Sequence, residues 1–359
     1  MFLQNLPVIV LTCCLSLAIT RLIILLAHRY GWVARPKQDR WHQKPTALYG
    51  GVAIVVAYIA GSSMMVPQIQ GVAGPALAGL LIGGVTLFGV GLRDDVRALN
   101  PLVKLLGQVM AVMPFLVGVM ITDSSPRVAL STPLLMLWMV GLTNAFNLLD
   151  NMDGLSAGTA VVVGGVLTFY CILAHLPGYA LLSAVLIASC LGFLWFNFRP
   201  YGNAQIFMGD CGSMFLGYML AGLTVLSVCP SASTPLAGAL VPLFLMAVPL
   251  FDTCLVIMCR RREGRAISQG GKDHSSHRLV YAGFSEKQAV LLLHGLSLLF
   301  GATGLFISFF HNPVIAISLL VLGISGLIVL GNFLSGFTGA MPTVLPAARA
   351  EQRLDVLPS

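Results

Sequence analysis

Thirteen acidic side chains stand among 359 residues, and several fall where an apolar run gives way to a polar, glycine-containing phrase. Asp94 and Asp95 lie in GLRDDVRALN; Asn144, Asn147, Asp150 and Asp153 in TNAFNLLDNMDGLSAG; Asp210 in FMGDCGSMFLG. Ionisable groups at membrane depth are costly and persist mainly where they pair, bind ions or face water. Two adjacent carboxylates can accept a proton or help hold a cation. They serve equally as a helix-end pair for Arg93, Arg97 or Lys104. The spacing of three keeps Asn144, Asn147 and Asp150 on one side of a helix. Their oxygens are the ligand type that suits Mg²⁺. Residues 151–154 read as a turn. Asp210 sits between Gly209 and Gly212, either as an N-cap or beside a phosphate at a helix start. Phe207 is an interfacial anchor or a platform for a base.

The longest hydrophilic stretch spans 259–287. Arg260, Arg261 and Arg262 read as a topology-fixing anchor. That explains Asp273, His274, His277 and Arg278 poorly; two imidazoles with a guanidinium suit a diphosphate or sugar hydroxyls. Zinc is disfavoured because no third ligand stands at a telling spacing. The first basic loop, 35–45, mixes Trp41 with cations including Lys44, and serves as an interface anchor or a lipid-phosphate contact.

The elements that must position these groups are membrane helices. Hydrophobic residues make up 57% of the chain and charged residues 9%, far from the roughly 25% charged of a soluble domain. Eleven apolar runs, near 7–27, 47–66, 72–92, 105–121, 130–148, 157–175, 178–196, 213–229, 235–258, 288–310 and 313–334, approach the length of about 20 residues that a bilayer demands. The expected fold is an all-α, polytopic integral membrane protein of about eleven transmembrane helices, with one multi-span unit over 1–334 and a short tail over 335–359. The first run reads as a span, since it lacks a basic n-region and a cleavage site and contains Arg21. Lys and Arg concentrate in alternate connections, which puts the N-terminus outside and the polar phrases together on the cytoplasmic face. The net charge of +7 thus reflects topology and phosphate or anionic lipid, not nucleic acid. The eight cysteines have no metal spacing and read as free thiols.

Taken in order, the DD phrase followed by KLLGQ, then NAFNLLDNMDGL, FMGDCGS, PLFDT with RRREG, and DHSSHR resemble the polyprenyl-phosphate N-acetylhexosamine-1-phosphate transferases (glycosyltransferase family 4). The resemblance covers about residues 30–285. It implies transfer of a sugar-1-phosphate from a UDP-sugar, by default UDP-GlcNAc, to undecaprenyl phosphate in the bacterial inner membrane, with release of UMP. Mg²⁺ is the implied cofactor, with Mn²⁺ as an alternative, and a homodimer is admitted. By the family's motifs Asn147 and Asp210 resemble the metal ligands, and Asp94, with Asp95 beside it, the group that deprotonates or orients the lipid phosphate. Asp153, Asn197 and Phe207 resemble uridine-pocket positions, with Asp150 near the ribose or phosphates. His274, His277 and Arg278 match the diphosphate and sugar loop, and Lys44 and Lys104 basic positions near the lipid phosphate.

The chain departs from that pattern in two places. Asn151 stands for a glycine in the Asp150–Gly154 phrase, and His274-Ser275-Ser276-His277 replaces the histidine triplet of the peptidoglycan translocase branch. The second departure argues against that branch and leaves the donor open among UDP-N-acetylhexosamines. A secondary transporter would also use intramembrane acids and broken helices. It ranks lower because the acids cluster at one face and no internal repeat is found.

Overall fold

The computed structural model describes residues 3–34, 45–65, 74–199, 201–266, 271–310 and 312–337. Lys44 lies outside the described residues. The helices are α1 (Leu6–Tyr30), α2 (Gly51–Met64), α3 (Gly74–Val96), α4 (Pro101–Thr122), α5 (Pro126–Leu149), α6 (Leu155–Leu173), α7 (Pro177–Asn197), α8 (Asp210–Ser231), α9 (Pro235–Leu245), α10 (Ala247–Arg262), α11 (Ser275–Tyr281), α12 (Glu286–Phe309) and α13 (Pro313–Ser335). Among the described residues nine are long and apolar enough to cross a membrane. Every apolar run of the sequence became helical, but two are not simple spans.

The run expected at 47–66 yields only the 14 residues of α2. Its first residues are extended: strand β2 (Thr46–Ala47) pairs antiparallel with β1 (Val33–Ala34). Ala47 also exchanges hydrogen bonds with the chain ahead of α8, donating to the Gln205 carbonyl at 3.2 Å and accepting from the Phe207 N–H at 2.9 Å. A small β-ribbon thus departs from the all-α expectation. The run expected at 235–258 breaks into α9 and α10, bent by 67°. Pro249, in the first turn of α10, has no N–H for the Leu245 carbonyl, and its ring crowds that carbonyl, which favours a break there.

The core is built around α8, whose apolar window is wholly buried. Two close backbone approaches bring its N-terminus into register with α2 and α3. A Cβ on Gly51 would stand 2.3 Å from Gly212 N, and one on Gly91 would stand 2.6 Å from Cys211 Cα. Small residues at such crossings replace the hydrophobic drive that lipid cannot supply. The exterior is apolar in turn, as at Leu130, 83% exposed on α5. Because α3 ends, α4 begins, α5 ends and α8 begins at the same level, the polar phrases meet. Gly91→Ala is therefore expected to force α3 off α8, at about 1–3 kcal/mol for overpacking; a lowered thermal unfolding midpoint in detergent checks it.

Candidate active site

The turn between α3 and α4 sets the first two groups. Asn100 caps α4 by accepting the Leu102 N–H at 2.9 Å, and one oxygen of Asp94 takes the Leu99 N–H at 2.5 Å. Lys104, one turn into α4, thereby faces back and meets the other Asp94 oxygen at 3.0 Å. Its ammonium also binds the Asp210 carboxylate and the Asn147 Oδ1, the latter at 3.0 Å. The Asn147 amide nitrogen donates to Asp210 at 2.9 Å and to the Ser213 hydroxyl at 3.0 Å. Asp94, Asn147 and Asp210, predicted from separate phrases, are brought together, with Lys104 as their hub.

Asp95 faces elsewhere. One of its oxygens accepts the Asp210 N–H at 2.8 Å and the other the Cys211 N–H at 3.0 Å, so it caps α8. Its expected catalytic place beside Asp94 becomes a positioning one, because both oxygens are committed to orphan backbone donors of a buried helix start. Asp150, just past α5, receives the Gly209 N–H. Loss of water, then the negative charges of Asp210, Asp95 and Asp153, raise its carboxyl well above the ordinary carboxylate range. Five aspartates are thus gathered within electrostatic reach, and one ammonium touches two of them.

Asp153 and Asn197 line a cleft of about 480 Å³ with Arg199, Asn203, Glu286 and Lys287. Asp153 accepts the Ala204 N–H at 3.0 Å. The Asn197 amide bridges the Gly154 N–H, at 2.8 Å, to the Ile206 carbonyl, at 2.9 Å, and so ties the 151–154 turn to the segment before α8. Phe207 does not line this cleft, so the three expected uridine-pocket residues are only partly united.

The histidine loop is held from behind. Fully buried Asp252 on α10 binds His274 Nδ1 at 2.8 Å and the Ser275 N–H and hydroxyl at 2.7 and 2.6 Å. The Ser276 hydroxyl reaches Asn151 at 2.5 Å, which docks the loop on the 150–154 turn. Arg260 forms a paired bond with Asp273 at 2.8 and 2.9 Å, so it is a buried clamp rather than a topology anchor. Burial raises the Asp273 carboxyl, but Arg260, Arg265 and His274 outweigh it and hold the group at about 2. Burial, then the charge of His274, lowers His277 to about 4, against the opposing pull of Asp252.

Two further expectations change. Arg278, expected at the diphosphate, instead has its Nε on the Asp273 carbonyl at 2.8 Å and its Nη1 on the Leu334, Ser335 and Phe337 carbonyls at 3.2–3.3 Å. The spacing argument that put Asn144 with the oxygen ligands fails because Gln108 takes both ends of its amide, at 3.0 and 2.7 Å. Gln108, Asn151 and Asp252 had no stated role in the sequence reading. For Gln108 and Asp252 the signal was their type, since polar groups inside apolar runs need partners.

The donor set at Lys104 consists of carboxylate and carboxamide oxygens, which fits a hard divalent cation better than a soft one. Among the described residues no three His, Cys, Asp or Glu groups close around a metal, so Asn147 would be needed to complete such a set.

The fold and site define a polytopic membrane protein with an acid-rich cluster at one end of its helices. Residues 77–228 match glycosyl transferase family 4. The chain is 32% identical over 337 residues to the probable undecaprenyl-phosphate N-acetylglucosaminyl 1-phosphate transferase of Bacillus subtilis (strain 168), covering 90% of this chain and 89% of that protein. It is 30% identical to the decaprenyl-phosphate N-acetylglucosaminephosphotransferase of Mycobacterium tuberculosis (strain ATCC 25618 / H37Rv), over 80% of this chain and 78% of the other. The phospho-N-acetylmuramoyl-pentapeptide-transferase of Mycobacterium leprae (strain TN) is 29% identical, over 87% and 98%. The chain belongs to glycosyl transferase family 4.

His277 gives this site a pH signature. Its folded value of about 4 lies below the usual 6.5. As pH falls through that window the unfolded chain takes up a proton that the folded chain refuses, so stability falls, by on the order of 3 kcal/mol in all. Unfolding midpoints at pH 7.5 and 4.5 should separate less in His277→Asn than in the parent.

Proposed function

We propose that this protein transfers a sugar-1-phosphate from a UDP-sugar to a polyprenyl phosphate and releases UMP. The observation that carries this reading is the convergence of Asp94, Asn147 and Asp210 on a single lysine, two carboxylates against one ammonium, an oxygen-rich set suited to a cation-neutralised diphosphate. The Bacillus subtilis and Mycobacterium tuberculosis relatives are named for undecaprenyl and decaprenyl phosphate and for N-acetylglucosamine, so GlcNAc-1-phosphate is the first donor group to test.

Asp210 and Asn147 would hold Mg²⁺, with Mn²⁺ as a substitute; when bound it neutralises diphosphate charge and sharpens the β-phosphorus as an electrophile. A lipid phosphate oxygen attacks the β-phosphorus in line, and the bond to the UMP oxygen breaks. Lys104 holds the incoming phosphate close to Asp94, which orients it or takes its remaining proton. Such a phosphate is largely ionised near neutral pH, so Asp94 aids the step rather than enabling it. His274 and His277 face the diphosphate and sugar, while the cleft at Asp153 and Asn197 takes the nucleoside.

An apolar groove of about 600 Å³ between α10 and α13 offers a bed for the isoprenoid chain. The bias of Lys and Arg supports a cluster on the cytoplasmic side of the inner membrane with the N-terminus outside, an orientation that needs the broken α9–α10 pair and the short α2 to cross along with the nine long helices. The replaced histidine run keeps other UDP-N-acetylhexosamines, and phospho-MurNAc-pentapeptide, among the donors to test.

The purified protein in detergent, given undecaprenyl phosphate, Mg²⁺ and a panel of UDP-sugars, should release UMP from one donor, and EDTA should abolish the release. Asp210→Asn and Asp94→Asn should each lower the rate by about 10²-fold or more while leaving the unfolding midpoint near the parent's. Asp95→Asn should lower the midpoint as well, because it spoils the α8 cap. No UMP from any donor, in folded protein, would return a transporter to first place.

A further inference from the structure

Arg278 is 2% exposed, and its guanidinium is spent on backbone carbonyls rather than turned toward the cluster. Those carbonyls belong to two structures that are otherwise distant in sequence. Asp273 is the residue immediately before His274, whose ring and following serine are fixed by Asp252. Leu334 and Ser335 end α13 and Phe337 lies just past it, where the outward-facing carbonyls and the negative end of the helix dipole favour a cation.

α13 needs such an anchor. Of its 23 residues only Ala316, Gly331 and Leu334 are buried. Two of these lie in the last turns, beside the arginine. The same stretch forms one wall of the apolar groove: Leu327, Gly331 and Ser335 face Phe251, Leu255 and Met258 of α10. One side chain therefore joins the wall of the groove to the backbone of the histidine loop.

We propose that Arg278 is a positioning residue that couples the spacing of α13 from α10 to the placement of His274 and His277. A chain seated in the groove bears on α13. The fork of Arg278 carries the resulting position of the helix end to the Asp273 carbonyl, and so to the imidazoles. The loop then takes its working geometry when the groove is filled. The kinetic part of this inference rests on the transferase reading; the structural part does not.

The test uses the full chain with Arg278→Gln and Arg278→Lys. Cys254 is exposed and lines the groove, whereas Cys14 and Cys229 are exposed elsewhere and serve as internal references. Maleimide alkylation of each cysteine, followed by peptide mass spectrometry, reads how far α13 stands from α10. Arg278→Gln should speed alkylation of Cys254 by about threefold or more, with the references unchanged, as a local opening does. Arg278→Lys, which keeps the charge but loses the fork, should fall between.

In the UMP assay the KM for the UDP-sugar should stay within about twofold. kcat with a long polyprenyl phosphate should drop about tenfold, and less with a two-isoprene acceptor that leaves most of the groove empty. An unchanged Cys254 rate would overturn the proposal. So would a KM for donor raised about tenfold with acceptor length immaterial, which would place the guanidinium on the sugar nucleotide instead. If the parent releases no UMP, the transferase reading fails while the alkylation result still decides the coupling. Should Arg278→Gln not fold, Leu334→Ala loosens the same junction from the α13 side and should raise the Cys254 rate likewise.

Discussion

A helix that begins inside a protein leaves backbone N–H groups without partners, and α8 begins at the crossing of α2, α3 and α5 with its whole apolar length buried. Asp95 answers that constraint with both carboxylate oxygens. Its negative charge also meets the positive end of the helix dipole. The cap leaves no room for a side chain at position 209, where a Cβ would stand 2.7 Å from the Asp95 carboxylate. Gly209 also takes a φ of +79°, which glycine adopts without strain. Asp210, the first residue of the helix, is thereby aimed at Asn147 and Lys104 rather than along its own backbone.

Capping solves one electrostatic problem and creates another. Once Asp95 is fixed, Asp210, Asp94 and Asp150 stand close together in surroundings that hold little water. Lys104 neutralises part of that charge, and Asn147 contributes a donor to one carboxylate and an acceptor to the ammonium. Asp150, stripped of water and facing Asp210, Asp95 and Asp153, keeps its proton and stays neutral instead of adding a further charge. Structural pairing would leave a balanced set, as Arg260 does for Asp273 in the loop nearby. The imbalance at Lys104 is the feature that a purely structural account of these residues does not supply.

The phrases themselves were legible because polar residues are conspicuous in apolar runs, and the runs themselves marked out the helices. Asp94, Asn147 and Asp210 could be grouped on that basis, since helices that alternate in direction return their ends to one level. Helix-face spacing misled at Asn144, because periodicity says which side a residue faces and not which partner waits there; Gln108 waits there. Charge was ambiguous for the arginines. A guanidinium suits an anion, a carboxylate or a helix C-terminus equally well, and only the fold shows that Arg260 found Asp273 and Arg278 found the end of α13. The split of Asp94 from Asp95 was equally hidden. Neighbours on a helix point about 100° apart, so adjacent acids in a string of letters can serve different elements.

The break between α9 and α10 belongs to the same logic as the acid cluster. A straight helix over 235–262 would pack along its neighbours and close the space that the 67° bend opens. Pro249 disfavours that continuity and directs α10 so that Asp252, a fully buried acid, meets His274 and Ser275. The opposite side of α10, with Cys254 and Met258, faces the groove. One helix thus presents a carboxylate to the histidine loop and an apolar wall to lipid, two surfaces about as unlike in polarity as a side-chain set allows. The proposed transfer from a charged donor to an isoprenoid acceptor calls for both kinds of surface, and one bent half-helix carries them on its two sides.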